Sequence, residues 1–158
     1  MSEDFTHLDE RGAARMVDVS GKEITVRTAT ASGRVRVSAE VIALLRGSGM
    51  PKGDALAVAR IAGIQAAKRT PDLVPLCHPL AIHGVDVDLR IDADSVCIVA
   101  TVRTADRTGV EMEALTCVSV AALALVDMVK AVDPAAVISD IQLDEKTGGK
   151  RGRWVRPE

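Results

Sequence analysis

Asp127 and Lys130 stand three residues apart where a long, small and almost wholly apolar stretch, Ala114–Val129, comes to its end. On a helix that spacing sets the two side chains on neighbouring faces, within reach of each other. One account of the pair is structural: an ion pair, buried or partly buried at a subunit contact. The other is an acid/base couple. Desolvation would raise the Asp127 pKa and lower that of Lys130, while their attraction opposes both shifts. Coupled groups of this kind can move protons near neutral pH. The helix alone does not decide between the two. Glu111 and Glu113 open the same helix, where carboxylates also complement the helix dipole. Glu113 and Asp127 are fourteen residues apart, hence roughly 40° apart around the axis but ~21 Å along it. They can hardly serve one small site within one subunit. If both function, the site draws on different copies of the chain or the substrate is long.

Three further segments carry chemistry-bearing residues. Leu76-Cys77-His78 is bracketed by Pro75 and Pro79, which stiffen it into an extended loop. Adjacent side chains in extended backbone point to opposite sides, so Cys77 and His78 do not form a nucleophile–base couple with each other. His78 is then either a hydrogen-bonded loop residue or a phosphate or proton contact. Lys52-Gly53-Asp54 stands at a helix start, and Lys146-Thr147-Gly148-Gly149-Lys150 follows the last strand. Backbone N–H groups at helix starts and in glycine-rich loops suit anions, and lysines add charge. Each segment taken singly reads as a solvated turn or a basic tail. Together with His78 they would make a pocket for a triphosphate. His7, His78 and His83 show no metal-ligand spacing, so no metal site is predicted, and no cofactor.

The elements that must position these residues follow from periodicity and punctuation. Residues 1–15 lack periodicity and read as a flexible arm. Met16–Lys22, Ile24–Thr28 and Arg34–Val37 alternate and read as strands, with a turn at Ala31-Ser32-Gly33. Ser38 is placed to cap a short helix, Ala39–Leu45, that stops in Arg46-Gly47-Ser48-Gly49. Gly53-Asp54 opens a second helix running to about Lys68, and Thr70-Pro71 ends it. Val85–Ile91 alternates strictly and predicts a strand with one buried face; Asp92-Ala93-Asp94 is its turn and Ser95–Val102 its antiparallel partner. A long helix, Val110–Val132, ends at Asp133-Pro134. A last strand covers Val137–Leu143, and the tail 148–158 reads as mobile. From Ile24 onward this order predicts an α+β chain: a ferredoxin-like split βαβ with an antiparallel sheet and helices on one face. The long helix is apolar nearly all round, which calls for a second subunit to cover what the sheet does not.

The 158 residues suit a single domain, 1–158, with a core of its own. Its apolar fraction is 47%, yet it holds one Phe, one Trp and no Tyr, so the core is aliphatic. Such a chain offers few platforms for stacking bases, and a net charge of −2 gives no electrostatic footprint for nucleic acid. Cys77, Cys97 and Cys117 are odd in number and lack CxxC spacing, against a disulfide framework or zinc ribbon. The N-terminus, MSEDFTHLDERG, is acidic and polar, unlike a secretory signal. The apolar stretch Ala114–Val126 contains Thr and Ser and reads as a buried helix, with no part for a membrane. A cytoplasmic protein is expected.

Over nearly the whole chain, in order, the sequence resembles the cyclic pyranopterin monophosphate synthases, the MoaC family. The residues that carry the resemblance are Met16–Ser20, Lys52-Gly53-Asp54, Ala59–Lys68, Leu76–Leu80, Thr108–Thr116, Asp127–Val132 and Lys146–Lys150. It implies a ferredoxin-like subunit in a homohexamer built as three dimers, with active sites at the dimer interface. It implies as substrate a cyclised GTP derivative, 3',8-cyclo-7,8-dihydro-GTP, converted to cyclic pyranopterin monophosphate with release of diphosphate, an early step of molybdenum-cofactor synthesis. Asp127 and Lys130 match the family's catalytic pair. Leu76, Cys77, His78, Glu111, Met112 and Glu113 match its substrate-contacting positions, and Lys52 and Lys146 match lysines of its pocket. Two departures stand out. Leu125-Val126 replaces an aromatic common shortly before the Asp127 position, and Arg151-Gly152-Arg153-Trp154 replaces a frequent Ser-Gly-Asp. Two other classes compete with a synthase. A ligand-sensing module would use Asp127 and Lys130 only to lock a dimer. An enzyme acting on GTP itself would want a Walker motif or a carboxylate-held metal pair, and neither is in the sequence.

Overall fold

The computed structural model describes residues 6–47, 49–52 and 54–158. Ser48, read above in the stop after the first helix, and Gly53, read above at the start of the second, lie outside the described residues, as do the first five residues of the N-terminal arm. The described chain runs β1 (Thr25–Arg36), α1 (Ala39–Gly47), α2 (Ala55–Ala67), α3 (Thr70–Leu73), β2 (Ile82–Ile91), β3 (Ser95–Asp106), α4 (Glu111–Val129), β4 (Val137–Thr147) and β5 (Trp154–Val155). The five strands form one antiparallel sheet in the order β2-β3-β1-β4-β5. With α2 and α4 as the two crossover helices, β1 to β4 have the ferredoxin-like split βαβ arrangement. β5 adds a two-residue strand at the edge of β4, within the tail 148–158.

The first strand departs from the expectation drawn from alternation. Residues 25–36 form a single strand with no turn at Ala31-Ser32-Gly33. The physical reason lies beneath α4. Ala29, Ala31 and Val35 are buried on the helix side, and a Cβ at Gly33 would sit 2.7 Å from Val118 Cγ1. Gly33 is thus a place where a helix presses on the sheet, a usual reason for glycine inside a strand. Met16–Lys22 is not a strand: Asp18 Oδ1 accepts the Ser20 N–H at 2.9 Å, and this local bond competes with sheet pairing. A short helix, α3, which periodicity did not predict, begins at Thr70 with Pro71 in its first turn, a position that tolerates a missing N–H.

Helix α4 rests on β1, β3 and β4 and packs against α2. The two helices cross closely at Gly63, where a Cβ would lie 2.9 Å from the Cys117 carbonyl oxygen and 3.1 Å from Ala121 Cβ. The core between helices and sheet is aliphatic: Val35, Val41, Val96, Ile98, Val102, Val118, Leu125 and Val129 are fully buried in it. Length and composition alone would let α4 cross a membrane, but half of its apolar stretch is buried inside the fold. Its outward side is not covered. Met112 and Leu123 of α4 and Val58 and Ile61 of α2 are exposed. The helix that positions Glu111 and Asp127 is therefore fixed by its inner face and presents an apolar outer one.

Candidate active site

The two ends of α4 carry two separate charged centres. At the C-terminal end Met128 and Val129 stay buried while Asp127 and Lys130 lie on the exposed side. Asp127 Oδ1 lies 2.8 Å from Lys130 Nζ and 3.4 Å from Lys52 Nζ, and Lys52 also donates to the Asp127 carbonyl oxygen at 2.9 Å. Lys52 reaches this point from the turn between α1 and α2. Asp54, two residues on, caps α2 by accepting the Ala57 N–H, so the turn is anchored. In the single chain the three side chains stay between 41% and 58% exposed. The desolvation expected from the apolar run is outweighed there. The Asp127 carboxyl is instead held below its ordinary range, first by the hydrogen bond from Lys130 and then by that from Lys52.

The N-terminal end of α4 is built differently. Lys146 pairs with Ala29 in the β1–β4 register. Ala29 faces the helices, so the Lys146 side chain rises on that face and meets Glu111 at 3.0 Å. Glu113, two residues on and turned to the buried side, is only 3% exposed, and burial pushes its carboxyl up to about 7, with the Glu111 charge adding to the rise. Cys77 and His78 are half-buried on their loop. Burial raises the Cys77 thiol, and the charges of Glu113 and Glu111 raise it further. His78 meets the Val17 carbonyl through Nε2, which ties the N-terminal segment over this loop. Leu76 is half-buried beside Cys77, and Met112 points outward at 39% exposure.

Beside Glu111 opens a cavity of about 760 Å³, walled by the start of β1, the end of β4 and Gly148-Gly149. Among the described residues, Lys22, Arg27, Lys146, Lys150 and Arg151 line it, against Glu23 and Glu111 of opposite sign. Its charge and its glycine turn suit a multiply charged anion. Lys22 and Arg27 were not legible as site residues. Each looks like an ordinary surface cation in its own segment, and only the pairing of β1 with β4 brings Arg27 beside Lys146, more than a hundred residues away.

Thus the structure joins Lys52 to Asp127 and Lys130, and Glu111 to Lys146, with Glu113 and Cys77 nearby. It does not bring Lys52 to Lys146 within one chain. Sixteen residues of helix separate Glu111 from Asp127, ~24 Å at the usual helical rise.

The pattern of the MoaC family matches residues 16–149, which includes Lys52, Asp127 and Lys130 of one centre and Cys77, Glu111, Glu113 and Lys146 of the other. A protein of Nocardioides sp. named cyclic pyranopterin monophosphate synthase is 71% identical over 156 residues, covering 97% of this chain and 96% of that protein. One of the same name from Streptomyces avermitilis is 70% identical over 152 residues, covering 96% and 89%. Cyclic pyranopterin monophosphate synthase 2 of Mycobacterium bovis is 62% identical over 155 residues, covering 98% and 93%. Matched from its first strand to its glycine turn, and at this identity to relatives of nearly its own length, the chain belongs to the MoaC family.

Proposed function

We propose that this chain is a cyclic pyranopterin monophosphate synthase, taking cyclised dihydro-GTP to the cyclic pterin monophosphate with loss of diphosphate. The observation that carries the reading is the division of labour along α4: a cation-lined cavity at one end and a lysine–carboxylate–lysine centre at the other. The reaction needs both. A sugar hydroxyl attacks the α-phosphorus, an O–P bond forms, and the bond to the β-phosphate oxygen breaks, so charge accumulates on the departing diphosphate. Lys146, Arg27, Lys22 and His78 would stabilise that charge. The ring opening and reclosure that precede it require protons to move at nitrogen and carbon. With its carboxyl held below the usual range, Asp127 enters as the base, and the ammonium groups of Lys130 and Lys52 serve as the donors. Glu113, buried and titrating near neutrality, would receive the N–H edge of the base. Leu76, Cys77 and Met112 would shape the wall around it.

The two centres are too far apart for one small substrate in one chain, so the complete site pairs the cavity of one copy with the Asp127 centre of another. The uncovered apolar face of α2 and α4 supports such a pairing, since Val58, Ile61, Met112 and Leu123 are exposed where a partner helix pair would bury them. The reading places three such dimers in a homohexamer, in the cytoplasm, acting on a small molecule and on neither nucleic acid nor membrane. Each chain is one domain. Its test is diphosphate release and pterin formation from the cyclised GTP, comparing wild type with Asp127→Ala. Turnover by wild type alone, with both proteins in the same oligomeric state, supports the reading. A well-folded wild type with no turnover would overturn it.

A further inference from the structure

The cavity holds five cations, but they are not equally ready for a ligand. Lys22, Lys150 and Arg151 are exposed, and Lys146 is engaged with Glu111. Arg27 alone among them is fastened from below. Its Nε donates to the Asp106 carbonyl at 3.1 Å and its Nη2 to the Arg107 carbonyl at 3.4 Å. Those carbonyls are themselves held, because Asp106 Oδ1 accepts the Arg107 N–H at 2.7 Å and Arg107 Nε donates to the Lys22 carbonyl at 3.2 Å. Two of the five guanidinium N–H groups are spent on this anchor, and among the described residues the others have no hydrogen-bond acceptor.

The other side of Arg27 is covered by the glycine turn. Gly148 has φ +95° and Gly149 φ +74°, conformations that side chains rarely adopt. More to the point, both pass against Arg27. A Cβ on Gly148 would collide with the Val26 carbonyl and lie 3.0 Å from Arg27 Cγ. A Cβ on Gly149 would collide with Arg27 Nη1 and lie 3.1 Å from Cζ. We propose that Gly149 is a positioning residue, whose missing side chain lets the turn lie on the Arg27 guanidinium and fix it as the oriented cation of an oligophosphate cradle. This rests on the reading of the cavity as the phosphate end of the site. A carbonyl-anchored guanidinium presents a planar fork to phosphate oxygens, which an exposed lysine does not.

The probe is inorganic diphosphate, titrated calorimetrically into the assembled protein. The variants are Arg27→Lys, Gly149→Asn and the double variant. Asn tolerates positive φ, so Gly149→Asn adds a Cβ while sparing the turn its conformational strain. Each single variant is expected to bind diphosphate about tenfold more weakly, as loss of an oriented charge-assisted pair implies. The double variant should bind no more weakly than Arg27→Lys, because Gly149 acts through Arg27. In turnover, Gly149→Asn should lower kcat/KM for cyclised GTP by at least a similar factor, part of it in kcat, because the Arg27 it displaces also meets charge that develops on the departing diphosphate. In the Arg27→Lys background Gly149→Asn should add no further loss. Wild-type affinity in Gly149→Asn, or losses that multiply in the double variant, would overturn the inference. So would a wild type that turns over cyclised GTP yet takes up no diphosphate, and that result would leave the synthase reading standing. Coupled diphosphate binding without turnover would do the reverse.

Discussion

Glu113 puts a carboxyl almost out of solvent at the head of α4, with the Glu111 charge close by. Burial lifts its pKa from 4.5 to about 7. The folded chain therefore holds this proton to higher pH than the unfolded chain does. The sign follows: the stability associated with the protonated carboxyl is fully present below pH 4.5 and is lost as pH rises through about 7. Lifting the carboxyl from 4.5 to about 7 is worth roughly 3–4 kcal/mol between the two limits, of which about 3 falls between pH 4.5 and 8. Glu113→Gln keeps the shape and removes the ionisation. Denaturant unfolding at fixed chain concentration should show the Gln variant close to wild type at pH 4.5. At pH 8 it should be more stable by about 3 kcal/mol, equivalent to a Tm gain of roughly 10 °C for a chain of this size. The same variant should lose turnover if Glu113 receives the base. A stability difference that is the same at both pH values would refute the argument, because it would show that the carboxyl is not desolvated where it stands.

Two further perturbations follow from the packing and the C-terminal centre. Lys130→Arg keeps the charge beside Asp127 but substitutes a group that does not give up its proton; turnover should fall by about 10²-fold or more across the pH range, and full activity would rule out a proton role for Lys130. Gly63→Ala forces a Cβ against the Cys117 carbonyl at the α2–α4 crossing; it should cost about 1–2 kcal/mol in denaturant unfolding, net of the better helix propensity of Ala, and a neutral result would mean that the helices can part there without loss.

What the sequence made legible was the part of the fold written in short-range patterns. Strict alternation marked Val85–Ile91, Asp92–Asp94 marked the turn, and Asp133-Pro134 marked the stop after α4; each has its counterpart in the structure. The misread parts involve long-range packing. Gly33 looked like a turn because its partner is Val118, on a helix far along the chain. The pairing of Asp127 with Lys130 was readable from their spacing, but Lys52 joins them across 75 positions, and no local signal announces that. The environment was misjudged for a related reason. An apolar run does not tell which side of its helix faces the core, and Asp127 lies on the outer side, between buried Leu125 and Met128. Lys22 and Arg27 were silent because a cation on a strand has no pattern of its own until the sheet places it beside another.

In the proposed assembly the cavity of one chain and the Asp127 centre of another make one site. That pairing is tested most directly by mixing two inactive variants, Asp127→Ala and Arg27→Ala, dissociating them and reassembling them together. Each assembly alone should be nearly inactive. A one-to-one mixture should regain about one quarter of wild-type turnover, because half the dimers are mixed and each of those has one intact site of two. A mixture as inactive as its parents, with exchange of chains confirmed, would contradict the shared site.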